Sequence, residues 1–309
     1  MSYKNDYFWE KVQTFLPLKN RISTDIFPQE YFIDIQNIKV HIDHYKVKNA
    51  KARIILLHGV GGNGRLLSFI AVPLVRNGFE VICPDLPLYG YTEYKGTITY
   101  ETWVKCGIAI VQEFSHDTLP VFLMGLSAGG MLAYQIATQC PTIKGILATC
   151  ILDQRNKYIR GRTARNAIIS HIGNIFLPST YKIVGSLSIP MKMVSNMKKI
   201  ANNNELTKLL MQDKKSSGAR VPLAFIHSML NPVILIEPEC YTKCPFILVH
   251  PGDDHWTDIT LSKLFFDRLA CHKEIHILEG AGHFPIEEIG LQQLEDYCVE
   301  FITYQINNL

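Results

Sequence analysis

A serine in the pentapeptide Gly125-Leu-Ser-Ala-Gly129 is the first candidate for chemistry in this chain. The apolar run Val121–Met124 precedes it, and a helix-like segment, Gly130–Thr138, follows it. A serine on so sharp a strand-to-helix turn has strained backbone angles, and glycines on either side let the two elements approach closely. The pattern predicts an exposed Ser127 hydroxyl that acts as a nucleophile. The alternative is a serine that only caps the N-terminus of the helix.

A serine nucleophile needs a histidine that accepts its proton. The chain has eleven histidines. His283 is the best candidate because the two glycines of Gly280-Ala-Gly282 let its loop reach over the end of a sheet, and Phe284-Pro285 begins the last helix. We therefore predict that His283 is the general base.

The histidine in turn needs a carboxylate that orients it. Asp253 and Asp254 follow the apolar run Phe246–His250, so the chain supplies serine, acid and histidine in that order. Asp254 is the preferred acid. Asp253 is the second choice, with a role in the turn if it is not the catalytic acid, and Asp153 is the third.

Hydrolysis by a serine also needs an oxyanion hole, in which backbone N–H groups point at the developing negative charge. The glycine-rich loop His58–Asn63 follows the strand expected beside the nucleophile strand. We predict that the amides of Val60 and Ala128 form this hole and that His58 is structural.

The same loop permits a different function. Gly59-Val-Gly-Gly-Asn-Gly64 matches the G-x-G-x-x-G pattern of NAD(P)-binding oxidoreductases, and Asp85 follows at the position of a ribose-binding acid. This hypothesis leaves Ser127 and His283 unexplained. A second alternative is a protein with the same arrangement of strands and loops that binds a ligand but catalyses no reaction.

The elements that carry these residues alternate in type along the chain. Tyr31–Val47 is predicted to form a β-hairpin, and short apolar strands then alternate with helices, which is typical of βαβ crossovers and a parallel sheet. The alternation stops at Asp153 and resumes at Phe246. We predict an α/β core, residues 1–152 and 237–309, and an inserted helical cap, residues 153–236.

The predicted cap is basic and rich in methionine. Residues 151–236 hold 13 Lys and Arg against 3 acids, an excess that predicts attraction of anionic amphiphiles or lipid surfaces. Some of the apolar side chains are predicted to line an acyl pocket above Ser127; the alternative is that they only pack the cap onto the core. The apolar side chains of the predicted cap include Met191, Met193, Met197, Met211, Met229, Ile172, Ile175, Phe176 and Leu177.

Composition excludes several other classes of protein. The chain has 309 residues, of which 47% are hydrophobic and 19% charged, so a disordered chain is excluded. No apolar run is long enough for a transmembrane segment, and the first residues lack a secretory signal, so a cytoplasmic location and eight free cysteines are expected.

His41 and His44 are expected at the surface, with no metal between them. We expect no cofactor, no metal and no nucleic acid, only a small-molecule ester substrate; the oligomeric state is not indicated.

Together these motifs resemble the α/β-hydrolase family, and within it the capped esterases and the monoacylglycerol-lipase or lysophospholipase-like proteins grouped with serine aminopeptidases. The resemblance covers the chain apart from residues 1–30 and the cap. Asp85-Leu-Pro-Leu-Tyr-Gly-Tyr-Thr92 is similar to the family's D-x-P-G-H-G-x-S loop, with Leu88 in place of its first glycine. Asp254-His-Trp-Thr257 resembles its D-x-x-T turn, which favours Asp254 as the acid. The resemblance implies hydrolysis of carboxylic esters, and the flexible methionines of the cap predict a preference for short-to-medium acyl monoesters.

Overall fold

The computed structural model describes residues 2–165 and 184–308. Its strands are β1 (Gln29–Ile35), β2 (Ile38–Tyr45), β3 (Arg53–Leu57), β4 (Glu80–Pro84), β5 (Glu93–Tyr94), β6 (Val121–Gly125), β7 (Ile143–Ala148), β8 (Ser188–Pro190), β9 (Arg220–Pro222), β10 (Phe246–Pro251) and β11 (Lys273–Leu278). Its helices are α1 (Tyr7–Gln13), α2 (Ser68–Arg76), α3 (Tyr100–Glu113), α4 (Ala128–Ala137), α5 (Lys157–Thr163), α6 (Met191–Val194), α7 (Asn204–Gln212), α8 (Leu223–Leu230), α9 (Ile259–Phe266) and α10 (Glu288–Asn307).

The core is one mixed, mostly parallel sheet in the order β1-β2-β4-β3-β6-β7-β10-β11, with β5 paired to β2. Strands β3, β4, β6, β7, β10 and β11 run parallel, and the hairpin β1–β2 joins antiparallel to β4. Every residue of β3 and β6 is buried, as expected for central strands covered on both faces. Helices α2 and α10 pack together, as do α3 and α4. The predicted α/β class is confirmed.

The sequence predicts a helical segment between β7 and β10. The structure has helices α5 to α8 there, but it also has two strands. Strands β8 and β9 pair as a separate antiparallel ribbon, and Pro190 and Pro222 each end a strand directly before a helix. Ile172, Ile175, Phe176 and Leu177 lie outside the described residues. The boundaries of a cap at residues 153–236, called the insertion below, stay a prediction.

The expected surface positions of His41 and His44 are wrong. Both are buried, with 1% and 6% of their surface exposed, because other segments cover both faces of the hairpin. Phe114, directly after α3, packs edge-on against the His44 ring. Tyr3 and Tyr91 pack edge-on against the His41 ring, and His44 lies beside Glu80. The alternation of a strand shows which side chains share a face, but not whether another segment covers that face.

All eight cysteines are free, and among the described residues no helix is both long and apolar enough to cross a lipid bilayer.

Candidate active site

Ser127 lies at the tight turn between β6 and α4. Its φ of 56° is in the left-handed region, which non-glycine residues seldom adopt, and its amide donates to Thr149 Oγ1 at 3.1 Å. A Cβ on Gly125 would come within 2.0 Å of the carbonyl oxygen of Gly129, and one on Gly129 within 2.2 Å of that of Leu57. Glycine is therefore required at both positions for the strand, the turn and the helix to fit together.

Three side chains from separate loops meet at this turn. Nε2 of His283 lies 2.8 Å from Oγ of Ser127, and Nδ1 of His283 lies 2.7 Å from Oδ2 of Asp254. His283 and Asp254 are both buried, with 4% and 9% of their surface exposed. The sheet brings the loops together because β6, β10 and β11 are parallel and end at the same edge.

The two other candidate acids have different partners. Asp253 lies next to Asp254 in sequence, but its Oδ2 accepts a hydrogen bond from Asn202 at 3.0 Å and its carboxylate is half exposed. Asp153 forms an ion pair with Arg155 at 2.8 Å. Neither carboxylate contacts His283.

Asp254 is held by four hydrogen bonds. Its Oδ1 accepts from the amides of Trp256 and Thr257, and its Oδ2 accepts from Thr257 Oγ1 at 2.7 Å as well as from His283. Burial alone would raise the pKa of Asp254, but His283 and Thr257 together hold it well below its ordinary value. Asp254 therefore remains ionised and also caps its own turn, the role predicted for Asp253.

The glycine-rich loop after β3 lies directly against the serine turn. A Cβ on Gly59 would come within 2.7 Å of Ser127 Cβ and 3.0 Å of the Ala128 nitrogen. In the described residues, no hydrogen bond joins the N–H of Val60 or of Ala128 to another protein group. Both residues line the same pocket as Ser127, so their amides can bind an oxygen of a molecule placed there.

His58 and Ser217 hold this loop from two sides. Burial lowers the pKa of His58 to about 4, so the ring is neutral: Nδ1 donates to the carbonyl oxygen of Gly59 and Nε2 accepts from the Leu86 amide. Ser217, on the insertion, donates from Oγ to the carbonyl oxygen of Gly61 at 2.9 Å. The loop is thus fixed before any ligand arrives.

A pocket of about 290 Å³ opens above Ser127. Its wall is largely apolar, and three of the five methionines of the insertion, Met191, Met197 and Met229, line it together with Met131. Met193 is instead 48% exposed. The size and apolar character are those of a site for a small organic molecule.

The dinucleotide hypothesis does not fit the surroundings of Asp85. This carboxylate is fully buried and accepts hydrogen bonds from the amides of Gly64 and Tyr91, at 2.7 and 2.8 Å, and from Tyr3 Oη. It fixes the loop Asp85–Thr92 to the rest of the fold and cannot reach a ribose. The oxidoreductase alternative therefore lacks its ribose-binding acid.

One cluster of the described residues has the composition of a metal site: Glu30, His41 and Asp43. Arg65 already binds both carboxylates, with Nε 2.5 Å from Asp43 Oδ2 and Nη2 2.9 Å from Glu30 Oε1. A guanidinium at this position repels a cation, so the cluster is an ion-pair network.

Sequence reasoning missed the residues that support the site. In the sequence Thr257 stands out only as part of the D-x-x-T motif, yet its hydroxyl contacts both Asp254 and His283. Trp256 packs on the His283 ring with the ring centroids 4.8 Å apart. Asn202 and Ser217 are polar residues in the insertion, and no local pattern marks them as contacts of distant loops.

The sequence profile described as serine aminopeptidase, S33 (Hydrolase_4) matches residues 48–289. The chain belongs to this family. The predicted resemblance to lipases and esterases with the α/β-hydrolase fold is confirmed, as is the predicted enzyme class, a hydrolase whose relatives are lipases and esterases.

Three named proteins are similar to this chain. Phospholipase YtpA of Bacillus subtilis (strain 168) is 25% identical over 248 residues, which cover 77% of this chain and 90% of that protein. A monoglyceride lipase from Saccharomyces cerevisiae, solved with a substrate analog, gives a TM-score of 0.73 at 19% identity and covers 94% of this chain and 98% of its own. A monoacylglycerol lipase from Paleococcus ferrophilus gives 0.64 at 20% identity, covering 86% and 99%. At such low identities the two structural matches show a common fold.

Proposed function

We propose that the protein is a serine esterase that hydrolyses carboxylic monoesters through an acyl-enzyme, with Ser127 as nucleophile, His283 as general base and Asp254 as the orienting acid. The observation that carries this proposal is the continuous chain of hydrogen bonds from Ser127 Oγ through the imidazole to Asp254, at 2.8 and 2.7 Å, at the base of an apolar pocket. The distance from Ser127 Oγ to His283 Nε2 is short enough for proton transfer.

In the first half of the proposed reaction, Oγ of Ser127 attacks the carbonyl carbon of the ester while its proton moves to Nε2 of His283. The carbonyl oxygen becomes an oxyanion, which accepts hydrogen bonds from the amides of Val60 and Ala128. The imidazolium then donates its proton to the leaving alcohol as the bond from the carbonyl carbon to that oxygen breaks. The acyl group remains on Ser127.

In the second half, His283 takes a proton from water, and the resulting hydroxide attacks the acyl carbon. The tetrahedral intermediate collapses, Ser127 Oγ recovers its proton from His283, and the carboxylic acid leaves. Asp254 stays ionised throughout and stabilises the imidazolium of both steps, in keeping with its low pKa.

The substrate class follows from the pocket. Its methionines are flexible and accept chains of varied shape, and each buried CH₂ group contributes about 0.8 kcal/mol. We therefore propose short-to-medium acyl monoesters, monoacylglycerol- or lysophospholipid-like, as substrates. The names of the relatives, a phospholipase and two monoacylglycerol lipases, support this choice.

The decisive experiment combines a fluorophosphonate probe with 4-nitrophenyl esters from acetate to decanoate. The wild type is expected to be labelled at Ser127 and to have its highest kcat/KM at an intermediate chain length. Ser127→Ala should abolish labelling and lower kcat by 10³ or more with folding retained. Activity of Ser127→Ala at the wild-type level would overturn the proposal, and a flat rate from acetate to decanoate would remove the acyl-pocket part of it.

A further inference from the structure

The insertion contacts the loop of Asp254 on both sides of that residue. Directly before it, Asn202 donates from Nδ2 to the carbonyl oxygen of Asp253 at 3.2 Å and to its Oδ2 at 3.0 Å. Directly after it, the carbonyl oxygen of His255 accepts a hydrogen bond from Lys199 Nζ at 2.8 Å. The backbone on either side of the acid is therefore bound to the insertion.

The loop of His283 is held in the same way. Directly after the histidine, the amide of Phe284 donates to the carbonyl oxygen of Ile200 at 2.9 Å. Directly before it, a Cβ on Gly282 would come within 2.7 Å of Cγ of Asn202, so the Asn202 side chain packs on the backbone at this point. One short segment of the insertion thus contacts the chain neighbours of both residues.

Asn202 is the residue of this segment whose side chain touches both loops. Beyond the ends of β10 and β11, the amide of Asp253 donates to the carbonyl oxygen of Ala281 at 2.8 Å, so the two loops begin side by side. Asn202 adds a contact one residue nearer to the histidine, at Gly282. Because this contact and the two hydrogen bonds to Asp253 involve one planar amide group, they fix the spacing of the loops.

This spacing determines the hydrogen bond between Oδ2 of Asp254 and Nδ1 of His283, which is 2.7 Å long. A displacement of about 1 Å in an active site can lower the rate of reaction about 100-fold. A residue that fixes the two loops can therefore affect the chemistry without touching the substrate.

We propose that Asn202 is a positioning residue of the active site, which aligns Asp254 with His283 through the backbones of their loops. This inference rests on the esterase function proposed above and makes one residue of the insertion part of the catalytic apparatus. Asn202 does not belong to the described wall of the pocket, so its replacement should change kcat and leave KM nearly unchanged.

Reversing the two polar side chains tests this role. Asn202→Asp places a second carboxylate against that of Asp253 and removes the donor, so kcat should fall about 10- to 100-fold with KM within about twofold. Combination with Asp253→Asn restores one donor and one acceptor in the opposite order. The double variant should return to within about threefold of the wild type. Values of kcat are taken on the alkaline plateau of the pH profile, where the added charge does not change the protonation of His283.

Asn203→Ala is the matched control. Asn203 is the next residue, and its Oδ1 accepts from the amides of Glu205 and Leu206 at the start of α7. Its loss should lower the urea midpoint of unfolding, as expected for a helix cap, and leave kcat within about twofold of the wild type. A residue that only stabilises the insertion would behave in the same way.

A spectroscopic signal reports the alignment without any substrate. The proton between His283 Nδ1 and Asp254 should give a downfield ¹H NMR signal in the wild type, identified by its loss in His283→Gln. We expect this signal to disappear in Asn202→Asp and to persist in the double variant and in Asn203→Ala. If the wild type hydrolyses no ester and is not labelled by a fluorophosphonate, the esterase proposal fails, whereas this signal still tests the role of Asn202.

Wild-type kcat in Asn202→Asp, or a loss that Asp253→Asn does not reverse, would overturn the inference. If Asn202→Asp does not fold, Gly282→Ala takes its place. Its methyl group meets the Asn202 side chain, so kcat should fall at least about tenfold, and Gly282→Ala combined with Asn202→Ala should be no slower than Asn202→Ala alone. Losses that multiply in this pair would equally contradict the role of Asn202.

Discussion

Oδ2 of Asp254 lies 2.7 Å from Nδ1 of His283, whereas Asp253 directs its carboxylate away from that ring and onto Asn202 of the insertion. Two adjacent acids of one turn thus have different partners. The difference arises because the turn that follows Asp254 points the amides of Trp256 and Thr257 at its carboxylate.

Replacement of each aspartate by asparagine tests whether Asp254, and not Asp253, acts on His283. Asp254→Asn is expected to lower kcat on the order of 10⁴-fold, since the amide favours the wrong tautomer of His283. Asp253→Asn, its matched control, should stay within about threefold of the wild type. Steady-state kinetics on a 4-nitrophenyl ester measures both, and a crippled Asp253→Asn beside a mild Asp254→Asn would reverse the assignment.

Ser217, on the insertion, is expected to act on the glycine-rich loop that contains Val60. Ser217→Ala removes the hydrogen bond to the Gly61 carbonyl and loosens the Val60 amide, so kcat should fall by about 3- to 10-fold with KM little changed. The control is Ser216→Ala, whose hydroxyl donates to the carbonyl oxygens of Leu210 and Asp213 within the insertion rather than to the glycine-rich loop. Equal kcat values for the two variants would contradict the prediction.

Because His41 is buried, the free energy of unfolding should depend on pH in the alkaline range. Burial alone would lower the pKa of His41, but the carboxylates of Asp85 and Glu30 raise it to about 9. Because the folded-state pKa lies above that of the unfolded chain, about 6.5, the stabilisation is complete below pH 6.5 and is lost as the pH rises through 9.

Urea unfolding between pH 6 and 10 measures this effect. The free energy of unfolding of the wild type should fall more steeply with pH than that of His41→Gln, whatever the absolute stability of the variant. His255→Gln, at an exposed position, should keep the wild-type slope. Parallel curves for the wild type and His41→Gln would rule out the proposed linkage.

Leu88 has a φ of +86° and stands where the related motif has glycine. A side chain in this conformation costs about 1–2 kcal/mol. Leu88→Gly should therefore be more stable to urea than Leu88→Ala by about 1 kcal/mol, the reverse of the usual order. At the buried Leu86, whose φ is not positive, Leu86→Ala should be more stable than Leu86→Gly. If the alanine variant is the more stable one at position 88 as well, Leu88 is not strained.

The sequence indicated the sheet, the serine turn and the loops of Asp254 and His283, because each depends on a local pattern of glycines and apolar runs. It did not indicate the burial of His41 and His44, since the residues that cover them are distant along the chain. Thr257 and Ser217 were missed for a related reason: a hydroxyl gains its role only when folding places its partner beside it. The strain at Leu88 also requires backbone angles that residue types alone do not specify.

Hydrogen bonds between the insertion and the loops of Asp254 and His283 limit how the enzyme can open. Asn202 binds Asp253, the Ile200 carbonyl oxygen accepts a hydrogen bond from the Phe284 amide, and Lys199 donates to the His255 carbonyl oxygen. A rigid-body swing of this stretch would pull the loops of Asp254 and His283 out of alignment. Substrate must therefore enter past other parts of the pocket rim while residues 199–202 stay fixed. A graft of only part of the insertion from a relative should transfer specificity only when it leaves this anchor intact.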